Sequence, residues 1–446
     1  MKAKEIFAAP MQSMSADARA PLAFQERPLW LDDVELPPSS ESPFPTQVDV
    51  AIVGSGYTGL SAAGETAAAG RKTVVLDAGP IGGGCSSRNG GQVAFSFKPS
   101  LQSLSQRYGR DVAERLYMEG HESIRSLRAE ALGGELDCGW KDVGSFYGAL
   151  TSRQYESLQK YYDDLPERFR GRISIIPRKQ LQEAISSPLY CGGVISHDDA
   201  AIHPAKLVIA LHHRAEQAGA VCFAETAVQN IVKSGGHFLL RTGRGVVSAK
   251  QVLLATNGYS GAVSPWHRRR IIPIGSYIVA TEPLDEALVQ RLIPAGRNVG
   301  DMRRVVIYVR PSPDGRRIIF GGRASAGERN VRRVLSRMRV MMSELFPELQ
   351  KVRISHAWMG FVGYTFDTMP HFGERDGVFH CMGYCGQGIP HSVYYGRKIG
   401  QKMVGGGNAG TVLEDLIFPT RPLYRGKPWL LPIAVTAYRF LDRLGI

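Results

Sequence analysis

Apolar positions near residue 50 follow first a strand pattern and then a helix pattern. Residues 48–53 form a short, mostly apolar run, which predicts a buried strand. Residues 59–69 predict a helix of small residues, and the run at 72–76 predicts a second strand. A strand, a helix and a second strand in this order indicate a βαβ unit.

Beyond this unit the pattern predicts further helices and strands. Helical spacing covers 101–133, 152–168, 204–218 and 331–345, and strand-like runs cover 144–150, 221–223, 227–231, 252–255, 271–281 and 305–309. Asp314 and Gly315 are typical of a hairpin turn. The sequence shows no internal repeat and no long low-complexity linker. We therefore expect two domains whose segments interleave along the chain.

The composition indicates more than one domain and does not point to nucleic acid. The chain has 446 residues, too many for one small core. Its net charge is +13, from 54 basic and 41 acidic residues. The basic residues are scattered and accompany no nucleic-acid motif. We therefore interpret the charge as a generally basic surface and expect no nucleic-acid partner.

The cysteines and the apolar segments indicate where in the cell the protein is expected to lie. The six cysteines include no CxxC pair and no zinc-ligand spacing, so we expect no metal site and a reducing, cytoplasmic setting. No apolar run approaches the roughly 20 residues that span a bilayer. The segment 421–446 contains a shorter apolar stretch, Trp429 to Ala437. We expect it either to lie on a membrane surface as a peripheral anchor or to dock on the protein body.

Three glycines follow the first predicted strand at dinucleotide-binding spacing. Gly54, Gly56 and Gly59 form GxGxxG between that strand and the helix. The first allows a tight turn, the second lets a pyrophosphate approach the backbone, and the third lets helix and strand pack closely. Asp77 ends the second strand, where a carboxylate accepts hydrogen bonds from an adenosine ribose and repels a 2′-phosphate. These residues predict a dinucleotide other than NADP.

Two further glycine-rich stretches favour FAD over NAD. GPIGGGCSSRNGGQVAF continues from the second strand, and an NAD site needs no second polar glycine loop there. GYCGQGI, at 383–389, is a turn that enters a helix. Its backbone N–H groups are suited to the electron-rich edge of a reduced isoalloxazine.

These stretches belong to a longer series of motifs in one order: SSRNGGQ, HPAKL, ATNGYS, PDGRRIIFGGR, DTMPHFGE and GYCGQGI. Together with the opening motif they resemble the D-amino-acid-oxidase-type FAD oxidoreductases, most of all the γ-glutamylputrescine oxidoreductase branch. The resemblance runs from about Trp30 to past Gly400. It implies an α/β fold in which a Rossmann-like FAD-binding domain of the glutathione-reductase type is interleaved with an antiparallel-sheet substrate domain.

The resemblance also implies an order of segments. A leader would cover 1–46. The FAD-binding domain would comprise 47–135, 196–265 and 346–420, and the substrate domain 136–195 and 266–345. Residues 421–446 would form an amphipathic C-terminal segment.

The residues that hold the cofactor are implied in the same way. The pyrophosphate would lie against Gly54, Ser55, Gly56, Tyr57, Thr58 and Gly59, and the adenosine against Asp77, Ala78 and Val228. The path to the ring would be lined by Ser86, Ser87, Arg88, Asn89, Gly90, Gly91 and Gln92, and Thr256, Asn257 and Gly258 would pass near the cofactor. The turn with Gly383, Gly386, Gln387, Gly388 and Ile389 would close the pyrimidine edge.

The implied reaction is oxidation of a C–N bond in an amine or amino acid, with hydride passing to flavin N5. Arg310 lies on a predicted strand of the covering domain and is a candidate to grip a substrate carboxylate, with Tyr308 on the same face. Arg323 and Tyr277 are further candidates for the substrate wall. Each of the four could instead form an ordinary ion pair or pack as an aromatic.

Two departures from the resemblance leave parts of the function open. Some oxygen-using relatives have a lysine near flavin N5 on the strand that here reads RIIFGGR, so the electron acceptor is either oxygen or a quinone or carrier. Other relatives hold FAD through a cysteine, but Cys381 and Cys385 do not match that position, so we expect noncovalent FAD.

The substrate also stays open. The first hypothesis is a γ-glutamylputrescine-like amine. The alternative is a cyclic or N-alkyl amino acid, such as L-pipecolate, proline or sarcosine, oxidised by a membrane-associated enzyme. A non-catalytic flavin-binding subunit of a larger complex is a third hypothesis.

Overall fold

The computed structural model describes residues 24–322, 330–407 and 409–428. The helices within these ranges are α1 (Tyr57–Ala68), α2 (Leu101–Tyr108), α3 (Arg110–Leu132), α4 (Ser152–Asp164), α5 (Glu167–Arg170), α6 (Pro204–Gln217), α7 (Pro265–Arg268), α8 (Glu286–Leu292), α9 (Val331–Leu345) and α10 (Gly388–Met403). The strands are β1 (Gln47–Val53), β2 (Thr73–Leu76), β3 (Gln92–Val93), β4 (Ser145–Ala149), β5 (Ile173–Pro177), β6 (Gly192–Ser196), β7 (Ala200–Ala201), β8 (Val221–Phe223), β9 (Val228–Ser234), β10 (His237–Thr242), β11 (Gly245–Leu254), β12 (Ile272–Thr281), β13 (Asn298–Asp301), β14 (Ile307–Pro311), β15 (Ile318–Gly322), β16 (Ile354–Tyr364), β17 (His371–Arg375) and β18 (Val378–Met382).

The first large sheet contains the predicted βαβ unit. Its strands follow the order β17-β18-β11-β1-β2-β8, with the β9–β10 hairpin attached to β11. β1 pairs in parallel with both β2 and β11, and α1 packs against α6 and α10. Val50 to Ile52 are wholly buried, as expected for a parallel strand covered on both faces.

The second large sheet follows the order β16-β12-β15-β14-β13-β4-β6-β5. Its pairs are antiparallel except for β13 with β4. The apolar face of α9, including Leu335 and Met338, is buried in the same core cluster as Phe146 and Phe320 of this sheet. The structure therefore has the α/β class that the resemblance implied, with a parallel first sheet and a largely antiparallel second one.

β16 corrects one expected boundary. We expected the second substrate-domain segment to end at residue 345, but β16 pairs with β12 from Ile354 to Tyr364. Gly360 and Gly363 lie within this strand. At Gly363 a neighbouring residue leaves no room for a side chain. A Cβ on Gly363 would lie 2.2 Å from Asn257 Oδ1.

Two predicted helices are shorter than their sequence pattern. The helical region at 101–133 is divided into α2 and α3 at Gly109. The region at 152–168 is interrupted after Asp164, because Leu165 precedes a proline and adopts extended backbone. The central part of each prediction is correct, and the breaks are set by single residues.

No helix in the described part of the chain is long and apolar enough to cross a membrane. The apolar stretch Trp429 to Ala437 lies outside the described residues, as do residues 1–23 of the expected leader.

Candidate active site

A cavity of about 1000 Å³ lies between the two large sheets. Its wall begins at the glycine turn after β1 and at Asp77, at the end of β2. It continues along the 83–90 loop and the start of α10, and it ends on the second sheet at β4, β13 and β14. The carboxyl ends of parallel strands meet at such a crevice, which is where ligands of α/β proteins bind.

The glycine turn has the close contacts that its spacing predicts. A Cβ on Gly59 would lie 1.9 Å from the carbonyl oxygen of Gly54, and a Cβ on Gly54 would lie 2.9 Å from that of Ala255. Gly56 is the N-cap of α1 and lines the cavity. The cavity therefore meets bare backbone and a helix N-terminus, which together suit a phosphate group.

Asp77 lines the cavity and also fixes the glycine turn. Its Oδ2 accepts hydrogen bonds from the Ser55 backbone N–H at 2.7 Å and the Ser55 hydroxyl at 2.6 Å, and its Oδ1 accepts one from Gly79 N at 3.0 Å. Ser55 itself is fully buried. The carboxylate thus organises the turn and has lone pairs left to accept further hydrogen bonds.

The 86–92 segment is held by hydrogen bonds from several directions. Asn89 Nδ2 donates to Ser86 O at 2.8 Å, and the Tyr57 hydroxyl donates to the same carbonyl at 2.7 Å. Trp30 Nε1 donates to Asn89 O at 2.9 Å, and Trp358 Nε1 donates to Arg88 O at 2.9 Å. The segment is therefore a preorganised wall.

Most of the predicted cofactor residues lie on this one cavity. Those that line it are Gly54, Gly56, Tyr57, Thr58, Asp77, Ala78, Ser86, Arg88, Asn89, Gly90, Gln92, Val228, Thr256, Asn257, Gly386, Gln387, Gly388 and Ile389. Those that do not are Ser55, Gly59, Ser87, Gly91, Gly258 and Gly383. The second group supports the wall from behind. For example, Ser87 Oγ donates to Gly82 O, and a Cβ on Gly258 would lie 2.6 Å from Phe361 O.

The residues present fit FAD. The N-terminus of α10 reaches the cavity through Gln387 and Gly388, and the first turn of α1 reaches it through Tyr57 and Thr58. Thr58, in the first turn of α1, shares a 2.6 Å hydrogen bond with Tyr384, which joins the two glycine-rich turns. One helix N-terminus suits a pyrophosphate and the other suits the electron-rich edge of a flavin.

Tyr308 lines the cavity, as predicted. Its hydroxyl shares a 2.9 Å hydrogen bond with Ser276 on β12. Its ring lies over Gly321 and beside Gly90, since a Cβ on either would come within 2.9 Å of the ring. The ring is thus clamped at the junction of the 86–92 segment and the second sheet.

Arg310 does not line the cavity, so the expectation that it grips a substrate carboxylate is corrected. Its Nη1 donates to Gly91 O at 2.9 Å and to Ile202 O at 2.8 Å, and its side chain is buried. Alternation does place Arg310 and Tyr308 on one face of β14. At Arg310, however, that face meets the backbone at Gly91 and Ile202 and does not open to the cavity.

The expectation that Tyr277 forms part of the substrate wall is also corrected. Its side chain is buried in the core of the second sheet with Phe146 and Phe320, whereas its neighbour Ser276 lines the cavity. Successive residues of a strand face opposite sides, and the sequence does not show which side holds the cavity. Arg323 lies outside the described residues.

The second sheet and α4 contribute a polar wall that no sequence motif indicates. This wall includes Ser145, Tyr147, Tyr161, Tyr162, Ser196, Asp199, Asn298, Asp301 and Arg303. Arg303 donates from Nε at 2.8 Å and from Nη2 at 2.6 Å to Asp301 Oδ2, and Asp301 also accepts from the Tyr190 hydroxyl at 3.1 Å. These residues come from three strands, from α4 and from the segments that contain Asp199 and Arg303, and they form no local motif, so no sequence spacing could have found them.

Comparisons with known proteins identify the family of this chain. The family model described as FAD dependent oxidoreductase (DAO) matches residues 49–401. The chain is 33% identical to the probable oxidoreductase OrdL of Rhizobium meliloti (strain 1021), over 89% of this chain and 92% of the relative. It is 30% identical to the γ-glutamylputrescine oxidoreductase of Escherichia coli (strain K12), over 89% of this chain and 93% of that protein.

A solved structure shows the same fold. Glycine oxidase from Geobacillus kaustophilus superposes with a TM-score of 0.66 at 19% identity, over 85% of this chain and 98% of that one. The parallel sheet and the largely antiparallel sheet therefore belong to a known fold.

Proposed function

The chain belongs to the DAO family of FAD-dependent oxidoreductases, and on that premise we propose that it oxidises the C–N bond of an amine with a polar remote end, of the γ-glutamylputrescine type. The observation that carries the proposal is the polar wall beyond the glycine turns, where tyrosines adjoin Asp199, Asn298 and the Asp301–Arg303 pair. A wall of this kind suits a substrate that carries nitrogen and further polar groups. The relative named γ-glutamylputrescine oxidoreductase supports the same substrate class.

FAD, when bound, would supply the acceptor for the hydride that leaves the carbon beside the amine nitrogen. Gly56 and the first turn of α1 would hold its pyrophosphate, Asp77 its ribose, and the 386–389 turn its pyrimidine edge. Tyr308 would bound the reacting end and exclude water there. We propose the segments built around the first sheet as the FAD-binding domain and those around the second as the substrate domain.

Arg303, instead of Arg310, is the arginine that we propose for binding a substrate carboxylate. It is an arginine on the cavity wall, and its side chain is 14% exposed. Asp301 occupies Nε and Nη2 of its guanidinium, and an arginine has five N–H donors in all. A substrate carboxylate, such as that of a γ-glutamyl group, would bind beside this pair.

We expect FAD to be released when the protein is denatured by acid. Cys381 and Cys385 are buried near the flavin-binding turn, and burial raises the pKa of their thiols to about 12 and about 11. A protonated thiol is a poor nucleophile, which argues against a covalent link. Yellow colour in the supernatant after acid precipitation is the expected result, and yellow colour in the pellet would contradict it.

The substrate class is tested anaerobically. Purified holoenzyme is mixed in turn with γ-glutamylputrescine, putrescine, L-pipecolate, L-proline and sarcosine, and the oxidised flavin band is followed. Bleaching by γ-glutamylputrescine at the lowest concentration is expected. Bleaching by L-pipecolate or proline alone would support the cyclic amino acid alternative, and no bleaching of a chemically reducible flavin would contradict amine oxidation.

The electron acceptor is tested by admitting air to the reduced enzyme. Stoichiometric hydrogen peroxide indicates an oxidase, and slow reoxidation that a quinone accelerates indicates a dehydrogenase.

We also propose a cytoplasmic location. All six cysteines of the chain lie among the described residues and are unpaired, which supports a reducing compartment.

A further inference from the structure

Four polar side chains meet on the part of the cavity wall that the second sheet contributes. Ser145 on β4 is the cross-strand neighbour of Ser196 on β6 and of Asn298 on β13. Asp199 lies just before β7, and its backbone carbonyl accepts a hydrogen bond from Gly144 at 2.9 Å. All four side chains line the cavity. They form one cluster although they come from three different strands and a loop.

Two oxygens in this cluster lack a partner. The side chains of Asp199 and Asn298 are nearly fully buried, at 7% and 1% exposed. Among the described residues, neither Asp199 Oδ1 nor Asn298 Oδ1 has a hydrogen-bond partner. A buried polar atom without a partner is costly, so such atoms are normally satisfied by a ligand or by water. Asn298 Oδ1 is an acceptor, as is Asp199 Oδ1 when the carboxyl is ionised, so the group that satisfies both atoms is a donor.

The surroundings favour a cationic or N–H-bearing donor. No ion pair found among the described residues includes Asp199. Three tyrosines, Tyr147, Tyr161 and Tyr162, line the same cavity, and aromatic rings attract ammonium groups. Burial raises the pKa of Asp199 to about 7, Asp198 adds to the rise, and hydrogen bonding from Ser145 and Ser196 opposes it. A bound cation would favour the ionised carboxylate.

We propose that Asp199 and Asn298 form a subsite that accepts hydrogen bonds from a nitrogen of the amine substrate. The inference rests on the proposed function, because it names the groups that would recognise that substrate class. Asp199 supplies negative charge and Asn298 supplies a neutral acceptor. The subsite thereby distinguishes amines from substrates of the same shape that carry no N–H group.

The test measures binding rather than turnover. The probe is 1,4-diaminobutane, titrated calorimetrically into oxidised holoenzyme without oxygen at pH 8, and the variant is Asp199→Asn. The matched control is Asp198→Asn, the same change one residue away, where the carboxylate is paired with Arg172 at the surface. We expect Asp199→Asn to weaken binding at least tenfold and Asp198→Asn to leave it unchanged. Equal binding by all three proteins would mean that water alone fills the subsite, and this would overturn the inference, as would no binding to the unmodified protein.

A second probe identifies the nitrogen that is bound. If Asp199 holds the remote nitrogen, Asp199→Asn weakens binding of 1,4-diaminobutane but not of 1-aminobutane. If it holds the reacting amine, both are weakened alike, and either pattern supports the subsite. Failure of the proposed function is distinguished by the flavin absorbance, because every amine would then leave the flavin oxidised whatever the affinity of that amine for the protein.

A pH series on the unmodified protein makes the test independent of how the variant folds. The diamine binds the ionised carboxylate, so its affinity should rise as pH increases through about 7, where Asp199 loses its proton. The charged and titratable groups on the surrounding elements include Lys141, Tyr147, Tyr161, Tyr162, His197, Asp198, Asp301 and Arg303. If the rise in affinity disappears in the Asp199→Asn variant, the group responsible for it is Asp199 and not His197. A flat profile in the unmodified protein would overturn the inference.

Discussion

Replacing Gly59 by alanine is expected to give protein with little bound FAD and a lower melting temperature. The new Cβ would lie 1.9 Å from Gly54 O and 3.3 Å from Ile52 Cγ2. Gly54 cannot move easily, because its N–H donates to Leu76 O at 2.9 Å within the first sheet. Overpacking of this kind costs about 1–3 kcal/mol, and here it would also displace the turn that meets the pyrophosphate. Flavin absorbance per protein and thermal unfolding measure the two effects.

Gly64→Ala is the matched control for this change. Gly64 lies on the same helix, and its new Cβ would come no closer than 3.9 Å to the side chain of Arg214. Alanine is favoured over glycine in a helix by about 1 kcal/mol, so this variant should keep its FAD and unfold at an equal or higher temperature. Full FAD content in Gly59→Ala would contradict the role of the glycine turn as the cofactor cradle.

Replacing Arg310 by methionine is expected to lower stability and weaken FAD binding, while the KM of the remaining holoenzyme changes little. The guanidinium donates to the backbone carbonyls of Gly91 and Ile202 and lies over Trp30, with its central carbon 5.8 Å from the ring centroid. Gly91 O would keep the hydrogen bond that it accepts from the Ile202 N–H at 2.9 Å, whereas Ile202 O would lose its donor, and a buried carbonyl left without a partner costs about 1–3 kcal/mol. The 86–92 segment would then lose an anchor beside the cofactor. Thermal unfolding, FAD dissociation and steady-state kinetics on one preparation separate these effects.

Arg353→Met provides the comparison, because the Arg353 side chain is 82% exposed and pairs with Glu282 at the surface. Exposed pairs of this kind contribute about 0–1 kcal/mol, so little change is expected. A large rise in KM for Arg310→Met with unchanged stability and FAD content would restore the role in substrate binding that its position in the sequence had indicated.

The sequence by itself identified the glycine turn and Asp77, which line one end of the cavity. The apolar run at 48–53, the three glycines and Asp77 are close together in the chain, and each is needed for a local reason: strand burial, backbone approach or helix packing. Local geometry of this kind depends little on the rest of the fold, so spacing alone identified it. The 86–92 and 383–389 stretches were found for the same reason, because loops rich in glycine at helix starts leave a local signature.

The substrate end was decided only by the tertiary structure. Strand alternation indicates that Ser276 and Tyr277 face opposite sides of β12, but the side that meets the cavity depends on what packs against the sheet. Likewise, Tyr308 and Arg310 share a face of β14, but Tyr308 lines the cavity, whereas the Arg310 guanidinium donates to the carbonyls of Gly91 and Ile202. Asp199 and Asn298 are 99 positions apart in the numbering and meet only through the pairing of β4 with β6 and β13. A contact that depends on which strands pair, and on which face is covered, leaves no periodic trace in the chain.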